Sequence, residues 1–327
     1  MERRIYTRKE IVKGGGAALA GATLALPLVP RQAQALTRGV TVGVFPNGNG
    51  PLYGRFRKLE RYIDLAGGVR PTIISVFSPW RDGGYLLPST TNLRTIYKRY
   101  PGSVVMWTWE PFGVTLEGIN SGNHNAYIDR VARRIKAARH RVLVRFGHEM
   151  NVNQAWPWVR QPMKYRAAWR RVVNRFRRVG ARNAEWVWSP NVMHSGGALD
   201  FRPYYPGDEY VDWAGLDGYN WGALHRDWQS FRGVFEYSLS VIKRLSPKEI
   251  IICETGCHSV GGNKGAWFDG MRHYLKNDQP RVKGLVYSHM RDTFAGADWR
   301  VNSPDSALND WRAFVADPQF KRTLLRP

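Results

Sequence analysis

Short apolar runs recur down the chain every 30 to 40 residues or so, with polar and helical stretches between them. They lie at 41–46 (reaching back to about Arg38), 72–80, 103–110, 141–149, 185–191, 212–221, 249–256 and 284–290. Several are apolar almost throughout, as expected for parallel strands buried on both faces. The intervening segments carry helical periodicity. Trp169, Val172, Val173, Phe176 and Val179 fall on one stripe, and Gly180 supplies a stop. Ile128, Val131, Ile135 and Ala138 form a second stripe. Eight strand-like runs alternating with helices predict a (β/α)₈ TIM barrel over residues 36–327, read as a single domain. An open doubly wound sheet is the runner-up, but no G-x-G-x-x-G follows the first run.

Residues 1–35 do not join this pattern. The basic stretch MERRIYTRKEIVK precedes an apolar run of about 16 residues, short for a membrane span. Ala33 and Ala35 then flank Gln34 as a small-residue cleavage site. This reads as an export signal cleaved near Ala35, giving a secreted protein without stable membrane insertion. Thr7 to Lys13 resembles a twin-arginine motif with Lys9 in place of one arginine, so the general secretory route stays open. A buried helix or a retained anchor are the alternatives.

Composition changes the picture in two ways. Fourteen tryptophans and 15 tyrosines supply flat rings of the kind that stack on the C–H faces of sugars. The net charge of +23 raises the question of nucleic acid. The basic residues, however, are spread along amphipathic helices such as DRVARRIKAARHR, which reads as solvated helix faces, and no nucleic-acid partner is expected. Weak attraction to anionic cell-wall polymers is a secondary reading. Two cysteines, Cys253 and Cys257, are too few for a disulfide framework, and their spacing leaves pairing open.

The chemistry sits where the runs end. In a barrel of this type the site lies at the C-terminal ends of the strands. Those ends read Trp109-Glu110, His148-Glu149-Met150-Asn151, Ser189-Pro190-Asn191, Asp217-Gly218-Tyr219-Asn220-Trp221, Glu254-Thr255 and Tyr287-Ser288-His289. His148-Glu149 opens like the zinc signature H-E-x-x-H, but Val152 stands where the second histidine belongs and the preceding residues read as a strand. Glu149 and Glu254 instead close strands four and seven, which face each other across the mouth. A carboxylate there is costly unless it is paired or functional. Two carboxylates flanking one acetal are what glycoside hydrolysis requires.

RFGHEMN with the following AWPW, VWSPN, YYPGDEYVDWAGLDGYNW and the glutamate of IICETG resemble glycoside hydrolase family 26 over most of residues 40–315. That family contains β-mannanases and related β-glucanases and β-xylanases. The resemblance implies a retaining enzyme with Glu149 as acid/base and Glu254 as nucleophile, and with neither metal nor cofactor. It implies that His148 contacts the sugar beside the acid/base and that Tyr219 lies near the nucleophile. Trp221, Asn151, Glu110, Trp156 and His289 complete the expected substrate-binding set. Thr255 follows the nucleophile where the family usually has phenylalanine, and Ser288-His289-Met290 stands where an aromatic platform is usual. The expected substrate is a β-linked polysaccharide cleaved by a monomer, β-1,4-mannan first, with β-glucan or β-xylan as alternatives. A non-catalytic carbohydrate-binding barrel is the reading from another class, and the presence of both glutamates argues against it. If residues 1–35 direct export, N-terminal sequencing of secreted protein will begin near Leu36, and an intact Met1 would refute the signal.

Overall fold

The computed structural model describes residues 39–46, 52–80, 89–193, 199–225, 227–293, 295–320 and 324. The export segment expected at 1–35 lies outside them. All eight apolar runs form strands: β1 (Thr41–Phe45), β2 (Ile73–Pro79), β3 (Val104–Glu110), β4 (Val142–Phe146), β5 (Ala184–Trp188), β6 (Trp213–Asn220), β7 (Ile250–Cys257) and β8 (Val282–Ser288). Each pairs in parallel with its sequence neighbour, and β1 pairs with β8, so the sheet closes into a barrel in chain order. Among the described residues no helix is long and apolar enough to cross a membrane.

Helices α1 (Leu52–Leu65), α2 (Thr90–Arg99), α3 (Leu116–Ser121) with α4 (Asn125–Ala138), α5 (Pro162–Val179), α6 (Phe231–Leu245), α7 (Lys264–Asn277) and α8 (Leu308–Ala316) make the crossovers. The two stripes read from sequence are the buried faces of α4 and α5, with only Val179 half-buried. Gly180 caps α5 at φ +76°, a left-handed conformation that glycine adopts without a Cβ clash. The β5–β6 connection departs from the pattern. Its described residues form two single 3₁₀ turns, Arg202–Tyr204 and Asp208–Tyr210. Pro203, Pro206 and Gly207 explain why no α-helix propagates there.

Two apolar layers result. Ile73, Val104, Met106, Leu143, Val187, Trp213, Ile251, Cys253 and Val286 point inward and fill the barrel. The alternate strand residues face the helices and join the larger core. Toward the C-terminal ends the inward series turns polar, continuing as Thr108 and Arg145 and then as Asp217 and Tyr219. Cys253 and Cys257 are both buried free thiols.

Candidate active site

Alternation along β4 puts Leu143 and then Arg145 inside the barrel. Arg145 has no exposed side-chain surface. Its Nε donates to Thr108 Oγ1 on β3 (3.0 Å), one terminal nitrogen donates to Asp217 Oδ1 on β6 (3.0 Å), and the other donates to Glu254 Oε1 on β7. The guanidinium also lies 5.2 Å from the ring centre of Phe77 on β2. Burial works against its charge, but Asp217 and Glu254 outweigh that and hold it protonated.

Glu254 reaches this site through a bulge. Leu216 pairs with Ile252, but Asp217 pairs with Glu254, so Cys253 is an extra residue on β7. Strict alternation from the inward Cys253 would turn Glu254 toward the helices. The bulge re-aims it so that both consecutive side chains face inward. Tyr219 then donates its hydroxyl to Glu254 Oε2 (2.7 Å) and shares a second hydrogen bond with Ser288 Oγ (2.8 Å). Glu254 therefore has a cationic donor on one oxygen and a phenol on the other.

Glu149 is held differently. Gly147 takes φ +51°, and Glu149 itself takes φ +49°. A non-glycine residue there costs roughly 1–3 kcal/mol and persists only where its surroundings enforce it. The Glu149 amide donates to Ser189 O (2.8 Å), and Asn191 Nδ2 donates to Glu149 Oε1 (2.8 Å). Burial, then the charge of Glu254, push the Glu149 carboxyl up to about 7, against the opposing pull of Asn191 and Arg145. Glu110, at the end of β3, is also pushed up to about 7, by burial and secondarily by Glu254. The charge balance adds to burial in this direction, because Arg145 is the guanidinium shared here among Asp217, Glu254, Glu149 and Glu110.

The remaining expected residues divide into three groups. His148 is 5% exposed, packs edge-on to Phe77 (5.6 Å) and tilts on Trp156 (5.4 Å). Burial and Arg145 hold it neutral, with its pKa well below the usual histidine value. Its Nδ1 has no hydrogen-bond partner among the described residues, leaving a buried polar atom beside the acid. Half-buried Trp156, packed on Trp158 and Phe112, forms an aromatic wall there, and Trp221 forms another against Trp299 (4.8 Å).

Asn151 and His289 are engaged with the chain's own backbone. Asn151 spends its amide on the chain, donating to Asn191 O and Leu199 O (2.9 Å each) and accepting from Asn191 N (2.9 Å). It grips both backbone groups of Asn191 and so aims that residue at Glu149. His289 follows inward-facing Ser288, and alternation turns it outward, where its ring packs on Tyr62 of α1 (5.4 Å). Its Nδ1 accepts from Val301 N (3.1 Å).

The site residues absent from the expected set include Arg145, Asn191, Asp217 and Ser288. Arg145 carried a readable signal, a charge inside an apolar strand, which is the same argument that singled out the glutamates. Ser288 and Asn191 stood at strand ends in the sequence, but nothing marked which strand-end residue would point at a carboxyl.

The family model described as glycosyl hydrolase family 26 matches residues 100–299. Endoglucanase H of Acetivibrio thermocellus is 35% identical over 224 residues, covering 65% of this chain and 24% of that protein. The β-1,3-xylanase TXYA of a Vibrio species is 23% identical over 269 residues, covering 71% of this chain and 55% of the relative. The chain thus spans about a quarter and about half of these two relatives. Among solved structures, a β-mannanase from Bacteroides ovatus superposes with a TM-score of 0.63 at 19% identity, covering 89% of this chain and 93% of the other. The catalytic domain of a Bacillus endo-β-1,4-mannanase gives 0.65 at 19% identity, covering 86% and 90%. These two likenesses support the barrel fold.

The hydrogen bond from Asn191 favours the ionised form of Glu149, so removing it raises the carboxyl pKa further. Asn191→Ala should move the alkaline limb of kcat/KM upward by about one pH unit, the shift that losing one such charge-assisted bond produces. An unmoved limb would mean that Glu149 is not the group whose proton that limb reports.

Proposed function

The chain belongs to glycosyl hydrolase family 26, and on that footing we propose that Glu149 and Glu254 are the acid/base and nucleophile of a retaining endo-β-glycanase. The observation that carries this reading is the contrast between the two carboxyls. Glu254 accepts from a guanidinium on one oxygen and a phenol on the other, which holds its oxygens in place for attack. Glu149 has one neutral amide donor and a raised pKa, which favours a carboxylic acid able to give up its proton near neutrality.

In this mechanism Glu254 attacks the anomeric carbon while Glu149 protonates the departing oxygen. The product of this first step is a glycosyl ester on Glu254 and a free sugar hydroxyl. Glu149, now ionised, takes a proton from water as that water displaces the ester, and the two inversions restore the β configuration. Loss of the negative charge of Glu254 in the first step removes one of the charges that held the Glu149 carboxyl up. Its pKa therefore falls at the stage where it must act as base. The phenol of Tyr219 remains beside the ester oxygen it had donated to, and His148 with Trp156 flanks the sugar near the acid.

For substrate, β-1,4-mannan and β-glucan are the two leading candidates. The sequence motifs favour mannan, and the 35% identity to endoglucanase H, of which the chain spans 24%, brings in glucan, while the mannanase structures at 19% identity speak to fold alone. Export through residues 1–35 fits an enzyme that meets its polysaccharide outside the cell.

Release of reducing ends from mixed-linkage β-glucan, β-1,4-mannan, glucomannan and β-1,3-xylan ranks the substrates. Turnover of none would favour a carbohydrate-binding barrel. Glu149→Ala should lose about 10²–10⁴-fold in kcat/KM on polysaccharide yet keep most of its kcat/KM on an activated aryl glycoside, whose leaving group needs little protonation, while kcat falls on both because the base of the second step is gone. Equal losses in kcat/KM on both would remove Glu149 from the acid role. Proton NMR of the first product should show the β-anomer, and an initial α-anomer would exclude a retaining pathway.

A further inference from the structure

Behind Tyr219 lies Trp299, 2% exposed, with its ring centre 4.9 Å from that of Tyr219. The fit is close on the third side too. A Cβ added at Gly256 would meet Tyr219 at 3.0 Å and Trp299 at 3.1 Å. Tyr219 therefore has little room to shift, and its hydroxyl position depends on where Trp299 stands. Trp299 comes from the connection between β8 and α8, well away in sequence from the strands that carry the carboxyls.

Three side chains from outside this segment hold the backbone around Trp299. His258 Nδ1 accepts from Asp298 N (3.1 Å), and His289 Nδ1 accepts from Val301 N (3.1 Å). Lys264, 1% exposed at the start of α7, donates its Nζ to Asp298 O (3.2 Å) and Arg300 O (3.0 Å). Trp299 N itself donates to Met290 O (2.8 Å). Both imidazoles accept at Nδ1, so both must be neutral there, because a protonated Nδ1 would set N–H against N–H. Burial lowers both rings, His258 below its usual value and His289 down to about 4, with Lys264 adding to the push in each case and Arg300 in the second. Burying an ammonium on two carbonyls is also costly, and the Lys264 pKa falls to about 8. Three such groups converging on residues 298–301 exceed what an ordinary surface connection needs.

We propose that His258, His289 and Lys264 are positioning residues that fix Trp299 against Tyr219 and thereby set the hydrogen bond from Tyr219 to Glu254. The idea rests on Glu254 being the nucleophile. It gives His289 a role that its outward direction would otherwise leave empty. It also gives the chain an aromatic group behind the nucleophile's tyrosine, nine residues beyond Met290, after a Ser288-His289-Met290 stretch that lacks the usual platform.

A double-mutant cycle on kcat tests it, using whichever of the four polysaccharides the wild type cleaves fastest. His289→Ala should lower kcat about tenfold with KM nearly unchanged, and should cost under about twofold when Tyr219 is already phenylalanine. His289→Asn, whose Oδ1 can replace Nδ1 as acceptor, should restore most of the lost rate. Equal losses in both backgrounds, or no rescue by asparagine, would overturn the proposal. Trp299→Phe, which keeps an aromatic ring in place, should show the same non-additivity and serves if the alanine variant folds poorly. Hydrogen exchange gives a readout free of activity. His289→Ala should speed exchange in residues 295–303 and also in β6, and an effect confined to 295–303 would count against coupling to Tyr219. Glu254→Ala is the control: if it stays active, the nucleophile reading fails, and exchange alone then decides whether the Trp299 segment acts on Tyr219.

Discussion

A guanidinium with no access to water sits at the level where the barrel interior turns from apolar to polar. Arg145 can remain there only if its donors are matched, since an unpaired buried charge costs several kcal/mol. Thr108, Asp217 and Glu254 match them from β3, β6 and β7, and the Phe77 ring on β2 covers a face. One side chain therefore fixes the relative placement of strands that are far apart in sequence. Removing either carboxylate would leave the charge under-compensated at a cost of about 3–5 kcal/mol. Stability and site geometry are consequently coupled at this point.

The same cation makes the two glutamates unequal. Glu254 touches it and Glu149 does not, so the field that stabilises one carboxylate reaches the other only weakly. Rigid backbone does the rest. The left-handed turn at Gly147 and Glu149, the amide of Glu149 on Ser189 O, and the grip of Asn151 on Asn191 all hold the acid without lending it charge. Strain of roughly 1–3 kcal/mol at Glu149 is tolerated because these contacts enforce it. A site organised in this way needs little rearrangement when charge develops on the reacting atoms.

Much of this was legible in the sequence, and the exceptions have physical causes. The eight strands and two helix faces were readable because apolar period and spacing encode them directly. Glu149 and Glu254 stood out as charges at the ends of apolar runs. Which way each strand residue points was not readable, because strands buried on both faces carry no polar alternation to mark inside from outside. That ambiguity hid the outward direction of His289 and the inward direction of Arg145. It also hid the bulge at Cys253, without which Glu254 would face the helices. The backbone grip of Asn151 was not readable either, because an amide beside a strand-end glutamate can serve substrate or backbone equally well. Only the three hydrogen bonds to Asn191 and Leu199 assign it to the backbone.

In the mechanism proposed here, Arg145 and Tyr219 prepare Glu254, and no other carboxyl in this crowded mouth, to attack. A 2-deoxy-2-fluoro glycoside with a good leaving group slows both steps but the second more, so the covalent intermediate accumulates. Mass spectrometry of the digested protein should then find a single fluoroglycosyl adduct on Glu254. An adduct on Glu110, Glu149 or Asp217, or inactivation with no adduct at all, would contradict it.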